Sequence, residues 1–223
     1  MKKTVYTLCV DNYFPELCAI TLPTHAAYAK RIGAEFVLIT DRKYPEWHPT
    51  YEKMQIWDLG KENDWNIHID ADMYISPYLH DVTGYIAKFD SPAPPYTVGW
   101  YSIYDPKLYY KPNRYFMRDE RNIGICSAFI AVPSLCHEIW EPFTMSYDEA
   151  LKGTVQPHGL DDYCMSINFA KYGLKGDFCV NDSQDLVHFQ LGPNPTPFHK
   201  DRVIKLAQAA DAYWMGLKNG RTP

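Results

Sequence analysis

Asp70 and Asp72 stand two residues apart at the end of the apolar-leaning run Asn66-Ile67-His68-Ile69. On a β-strand that spacing puts both carboxylates on one face. Carboxylates that close repel each other, and a cation offsets the cost. A strand ending in Asp-x-Asp therefore reads as half of a divalent metal site, and Mg²⁺-like ions bind through one or two carboxylates plus substrate phosphates. His188 closes a late run, Asp185-Leu186-Val187-His188-Phe189, and is the candidate third ligand. An imidazole added to carboxylates moves the preference towards Mn²⁺; the plainer alternative is a satisfied core histidine. Asp161-Asp162 open a predicted helix after Gly159-Leu160. There they either serve the helix dipole alone or bring a carboxylate to chemistry at a sugar carbon. Lys53, on the predicted helix before the Asp-x-Asp strand, is either a solvated charge or the cation that meets a diphosphate leaving group.

The elements that must position these groups follow from pattern. Thr4–Val10 is a strand closed by Asp11-Asn12, residues 15–32 are helical with Gly33 as the cap, and Pro23 should kink or restart that helix. Glu35–Thr40 is a second buried strand, so the chain opens as β-α-β, the start of a parallel, doubly wound sheet. A helix over 51–60 leads to the strand 66–69. In such sheets ligands bind beyond the carboxyl ends of strands; Asp11, Asp41 and the Asp70/Asp72 pair all fall there. Residues 91–121, with Pro92, Pro94, Pro95, Pro106 and Pro112 among tyrosines and basic residues, read as an irregular excursion lying over the sheet and forming an acceptor-side wall. Gly124–Val132 is a further strand, 134–150 a helix, and 159–171 another. The tail 201–218 carries a helical apolar stripe that packs on the body, with contact to a membrane surface as the lesser reading.

Bulk properties bound the function. A chain of 223 residues suits one large domain or two small ones. Net charge is −5 with no long run of one sign, which argues against nucleic acid as a partner. Aromatic residues reach 15%, and amphipathic rings suit stacking on sugars as well as packing in a core. The six cysteines form no Cys-x-x-Cys pair and most read as buried free thiols, and no signal peptide or transmembrane run is seen. The expectation is a soluble, cytoplasmic protein.

Taken in order, the Asp-x-Asp strand, Asn122-Ile123-Gly124, Asp161-Asp162 and His188-Phe189-Gln190-Leu191-Gly192 resemble motifs of nucleotide-sugar-dependent glycosyltransferases of the GT-A fold, in particular the retaining glycogenin and lipopolysaccharide-galactosyltransferase group. The resemblance spans residue 4 to about 200. It implies a single GT-A domain, a Rossmann-like, doubly wound mixed sheet, with 1–90 as the nucleotide-binding half and 91–223 as the acceptor and catalytic half. It implies Mn²⁺ or Mg²⁺ on Asp70, Asp72 and His188, and catalysis by Asp161 and Asp162. A UDP-sugar would lie along Thr7, Leu8, Cys9, Val10 and Asp11, near Lys53, Asp70, Ala71, Asn122, Gly124 and Gly192. The sugar would pass to a hydroxyl of a glycan or glycoconjugate with retention of configuration. Two departures stand out. Asp162 occupies a position where the group carries Gln, and the Lys that follows the late His segment has its nearest counterpart at Lys200.

Two other readings compete. A haloacid-dehalogenase-like phosphatase would use Asp70 as nucleophile, but its motif sits on the first strand, whereas two strands precede it here. A catalytically silent sugar-binding module would bind nucleotide without turnover.

Overall fold

The computed structural model describes residues 1–86, 97–111, 123–180, 185–191 and 195–218. Its centre is a six-stranded sheet in the order β2-β1-β3-β8-β5-β9. These are Glu35–Ile39 (β2), Lys3–Leu8 (β1), Trp65–Ile69 (β3), Phe129–Pro133 (β8), Thr97–Trp100 (β5) and Lys175–Phe178 (β9). β8 is antiparallel to both of its neighbours, and every other pair is parallel. From β1 the chain first adds β2 on one side and then β3 on the other. The carboxyl ends of β1 and β3 therefore flank the crevice that a reversal of strand order creates.

Alternation along the strands divides two cores. Tyr6, Ile130 and Val132 face a layer with Tyr51, Met54, Trp140 and Leu160. Val5, Ile67, Ile69, Phe129 and Ala131 face the opposite layer with Tyr28 of helix α1 (Pro15–Arg31). Each fully buried apolar side chain of this size stabilises the fold by roughly 1.5–3 kcal/mol. α1 runs unbroken through Pro23, where a kink or restart was expected. Gly33, at φ 69°, ends it as expected: Gly33 N–H donates to Lys30 O and Ala34 N–H to Ala29 O.

The expected helix over 51–60 is a 3₁₀ segment, Pro49–Gln55, followed by the single turn α2 (Ile56–Leu59). Tyr51, Glu52, Lys53 and Met54 are all buried, and four consecutive buried residues do not fit the one-sided stripe of an amphipathic helix. A short helix, α3, spans Val82–Ile86. The expected helix over 134–150 also divides. Glu141 precedes Pro142 and is extended (φ −60°, ψ 120°), as a residue before proline prefers. A 3₁₀ segment, Ser134–Trp140, lies before it, and α4 (Tyr147–Leu151) follows with a Ser146/Glu149 capping box.

Two corrections bear on the site. Part of the proposed excursion over 91–121 is β5 itself, an interior strand of the sheet between β8 and β9; Thr97, Val98 and Trp100 are residue types that suit a strand. Residues 91–96 and 112–121 lie outside the described residues. The expected strand Gly124–Val132 is broken at Cys126–Ala128. Its first piece, β7 (Gly124–Ile125), pairs with β6 (Ile103–Tyr104), and its second is β8. A second small sheet pairs β4 (Met73–Ile75) with β10 (Leu186–His188). α5 (Leu160–Lys171) packs beside the 3₁₀ segment that carries Lys53, and α6 (Pro197–Lys218) packs on α1. No helix among the described residues is long and apolar enough to cross a membrane.

Candidate functional site

The break of the chain after β3 and the β4–β10 ladder together assemble the metal-type cluster. β3 ends at Ile69, and Asp70 N–H is held by Ala128 O at 2.7 Å. Three residues after Asp70, β4 begins, and antiparallel pairing sets His188 opposite Met73. That register brings the imidazole to Asp72: Nε2 lies 3.5 Å from Asp72 Oδ1. Asp72 is held from the same segment, since Phe189 N–H donates to its carbonyl at 3.0 Å and Leu191 N–H to its Oδ2 at 3.0 Å. One ligand atom from each of Asp70, Asp72 and His188 lies within 4.8 Å of the other two. The far nitrogen of His188, Nδ1, sits 2.5 Å from Tyr101 Oη.

Beside this cluster lies a second, built on Lys53. Its ammonium is buried, 2.8 Å from Asp70 Oδ1, 2.8 Å from Asp161 Oδ2, and 2.8 Å from Ser127 Oγ. Ser127 sits in the break between β7 and β8, where its backbone is free of either ladder. Its N–H donates to Asp162 Oδ1 at 2.9 Å, and its carbonyl accepts from His68 Nδ1 at 2.9 Å. The hydroxyl oxygen is 2.5 Å from Asp162 Oδ1 and 3.1 Å from Asp161 Oδ2. A serine offers a single proton, so one of the two carboxylates receives it at a time.

The electrostatics separate the carboxylates. Burial pushes Asp70 upward against the pull of Lys53. Burial also works against the ionised Asp72, but the bond and charge of His188 and the Leu191 N–H outweigh it and hold the carboxyl low. His188 rises in turn, since Asp72 overcomes the burial that would lower it. Lys53 is kept well above its usual value, because Asp161 and Asp70 outweigh its burial. Asp161 stays below the usual range because Lys53 overcomes burial. Asp162, desolvated and next to the charge of Asp161, is pushed up to about 7. His68, fully buried, is held neutral.

All of these groups except His68 face one cavity of about 610 Å³. Asp70, Asp72, Asp161 and Asp162 line it against the ammonium of Lys53, the one Lys or Arg among its described lining residues. Asp161 Oδ1 and His68 Nε2 are buried with no hydrogen-bond partner among the described residues. Such an excess of carboxylate fits a divalent cation, and the oxygen and imidazole donors of Asp70, Asp72 and His188 suit Mn²⁺ or Mg²⁺.

Of the residues expected to hold a nucleotide, Leu8, Val10, Lys53, Asp70 and Ala71 line the cavity. The side chains of Thr7, Cys9 and Asp11 turn elsewhere. Thr7 Oγ bonds His25 Nδ1 at 2.9 Å, Cys9 Sγ lies 3.5 Å from Cys18 Sγ, and Asp11 pairs with Arg42 at 2.5 Å. Thr7 points away by the pleat of β1, which ends at Leu8, and Asp11, at φ 54°, is turned off the line of the strand. Asp41, at the end of β2, is exposed and does not line the cavity either. Gly124 lies under the ring of Tyr104, where any Cβ would collide, and so seats a cavity-lining aromatic. Asn122 and Gly192 fall outside the described residues. Lys53 does not project freely towards a ligand; it is locked between two carboxylates.

The sequence reading passed over Ser127, Tyr101, His48 and His158, all of which line the cavity. Tyr101 follows directly on β5, so the strand-end criterion that singled out Asp70 would have found it had β5 been recognised. Ser127 carries no such signal, because its role arises from the break in a strand that looked continuous.

Neither protein-family models nor curated proteins give a match to the sequence. Solved structures do. A glycosyltransferase involved in glycosylation of the major capsid of PBCV-1 superposes with a TM-score of 0.58 at 12% identity, covering 94% of this chain and 100% of that one. Two further structures are less similar. A putative glucose-1-phosphate thymidylyltransferase from Bacillus anthracis gives a TM-score of 0.48 at 12% identity, over 92% of this chain and 95% of that one. The Drosophila β1,4-galactosyltransferase 7, a D211N mutant complexed with manganese, UDP-Gal and xylobiose, gives 0.46 at 14% identity, over 84% and 71%. The chain has the GT-A-like fold of nucleotide-sugar glycosyltransferases.

Proposed function

We propose that this protein is a metal-dependent glycosyltransferase that moves a sugar from a nucleoside diphosphate sugar, a UDP-sugar by the resemblance noted above, to a hydroxyl of a glycan or glycoconjugate. The observation that carries the reading is the convergence of Asp70, Asp72 and His188 within 4.8 Å at the crevice of a GT-A-like sheet, in the same cavity as Asp161 and Asp162.

In this reading Asp70, Asp72 and His188 hold Mn²⁺, which when bound supplies positive charge to the diphosphate. Leu8, Val10 and Ala71 line the nucleotide side, with residues 1–90 as the donor half and 91–223 as the acceptor half. Lys53 fixes Asp70 and Asp161 in place rather than meeting the diphosphate. Asp161 is held by Lys53 and Ser127. Asp162 keeps its Oδ2 free of the bonds that Ser127 makes to Oδ1, and it is the carboxylate that meets the reacting groups. The bond from the sugar carbon to the diphosphate oxygen breaks, one from that carbon to the acceptor oxygen forms, and the hydroxyl proton passes to Asp162. A base in that role accompanies inversion, whereas the resemblance implies retention; NMR of the first-formed product distinguishes them. Tyr104, Tyr109 and Tyr110 line the cavity, and their rings suit an acceptor sugar.

The test is a thermal-shift panel of nucleotide sugars with and without Mn²⁺, followed by donor hydrolysis. A UDP-sugar should raise the melting temperature only when Mn²⁺ is present. A panel in which no nucleotide sugar shifts the transition, or in which EDTA leaves the shift intact, rules the reading out.

A further inference from the structure

We propose that Tyr101 is a positioning residue that fixes the orientation and tautomer of His188, and so sets how tightly the Asp70–Asp72–His188 cluster holds a divalent ion. The inference rests on the metal reading above and adds a residue to it.

An imidazole ligates through a lone pair. Nε2 is the nitrogen turned towards Asp72, 3.5 Å from its Oδ1, so it is the one that would meet an ion there; with the ion bound, Nε2 carries the lone pair and Nδ1 the proton. The acceptor for that proton is in place: Tyr101 Oη lies 2.5 Å from Nδ1. The hydrogen bond at one ring nitrogen decides the state of the other, and partners of this kind orient a ligating histidine and raise its basicity.

Tyr101 is well built for the task. It stands at the end of β5, where its backbone N–H donates to Phe129 O at 3.3 Å, so the phenol is carried by the sheet rather than by a loop. It is only 8% exposed, which shields the bond from competing water. The rings meet edge to face, with centroids 5.7 Å apart at 83°, so packing resists rotation of the imidazole as well. Cys126 Sγ approaches the same phenol oxygen at 3.7 Å. His188 comes from β10, which among the described residues pairs with β4 in the small sheet and with no strand of the central one. Tyr101 thus ties the third ligand of the cluster to the central sheet.

The experiment is a Mn²⁺ titration of the whole chain, with free ion read by electron paramagnetic resonance, for the wild type and Tyr101→Phe. Phenylalanine keeps the ring packing and removes the oxygen. The dissociation constant should rise about 10-fold or more. Long-range ¹H–¹⁵N spectra of His188 give a second readout: with Mg²⁺ bound, the wild type should show a proton on Nδ1, and with both proteins metal-free, Tyr101→Phe should show more of the Nε2-protonated form than the wild type. Equal Mn²⁺ affinity of the two proteins overturns the role of Tyr101 and leaves the metal site standing. If the wild type binds no Mn²⁺, both the metal reading and this inference fall. If the variant does not fold, the wild-type spectrum decides alone, and an Nε2-protonated His188 in the Mg²⁺ form overturns the proposal.

Discussion

Lys53 and Asp162 show how a single environment gives two buried ionisable groups different duties. Lys53 is buried between Asp70 and Asp161, with no freedom to follow a ligand. Replacing it with Met leaves two buried carboxylates without their counter-charge, and breaking such a pair costs about 3–5 kcal/mol. Urea denaturation of Lys53→Met at neutral pH should show that loss, and the loss should shrink in acid as the stranded carboxylates take up protons. A variant as stable as the wild type would mean that Lys53 is not held as described. Asp162 behaves in the opposite sense. Its pKa is raised from 3.8 to about 7 by burial and by Asp161. Below pH 3.8 both folded and unfolded chains hold the proton. Between 3.8 and about 7 only the folded chain does, so its contribution to stability falls as pH rises and is lost above about 7. Asp162→Asn should therefore flatten the decline in stability between pH 3.8 and about 7. If Asp162 is the base, kcat/KM of the wild type should also climb to a plateau above about pH 7, and the variant should lose that limb together with about 10²-fold or more of kcat. An unchanged pH–rate profile would remove Asp162 from the reaction.

At the scale of the element, the break in Gly124–Pro133 does the most. An unbroken strand would spend Ser127 N–H and C=O on ladder bonds. The break lets them bind Asp162 and His68, and lets the hydroxyl reach Lys53 and both acidic residues. Ser127→Ala should cost about 1–3 kcal/mol, the scale for buried polar groups left without a partner. It should also move the Asp162 titration upward, because the serine bonds lower it; NMR titration of the Asp162 carboxyl carbon measures the direction. This is also where the sequence was least legible. Asp70, Asp72, His188, Asp161 and Asp162 could be picked out because each sits at a strand end or helix start, where local pattern marks the position. β1, α1, β2, β3 and α5 were readable for the same reason, since apolar periodicity and caps are local. β4, β5 and β9 were not. They are short, and β5 lies among prolines and tyrosines that suggest a loop; its place is set by β8 and β9, which are distant in sequence. Thr7 to Asp11 were expected to hold the nucleotide as a continuous run, but only Leu8 and Val10 line the cavity, because the strand ends at Leu8 and the chain turns at Asp11-Asn12.

At the scale of the whole molecule, the metal-type cluster is a junction. Asp70 and Asp72 follow β3 of the central sheet, while His188 arrives from β10 more than a hundred residues later. Next to it, Leu17 of α1, Tyr74 of β4, Phe189, Leu191 and α6 residues Val203 and Ala207 form a separate small core. The contacts between these bodies at the junction include the Asp72–His188 pair, the backbone bonds to Asp72, the Tyr101–His188 bond and, from α1, the Thr21 hydroxyl donating to Ala71 O at 2.6 Å. An ion bound there would add ligand bonds between sequence-distant segments and neutralise the facing carboxylates. Binding to the folded chain alone stabilises it by RT ln(1 + [L]/Kd), about 2.7 kcal/mol at a hundredfold excess over Kd. Because local openings are less costly than global unfolding, the effect should be largest at the junction. Saturating Mn²⁺ should therefore raise the melting temperature and slow amide exchange most at Leu186–Leu191 and Asp70–Ile75, with little change at β2 on the far edge of the sheet. Asp72→Ala should lose both responses while its apo form keeps the far-UV circular dichroism of the wild type. Uniform slowing across the chain would instead indicate nonspecific cation binding to a net-negative surface, and a Mn²⁺ response retained in Asp72→Ala would place the ion elsewhere.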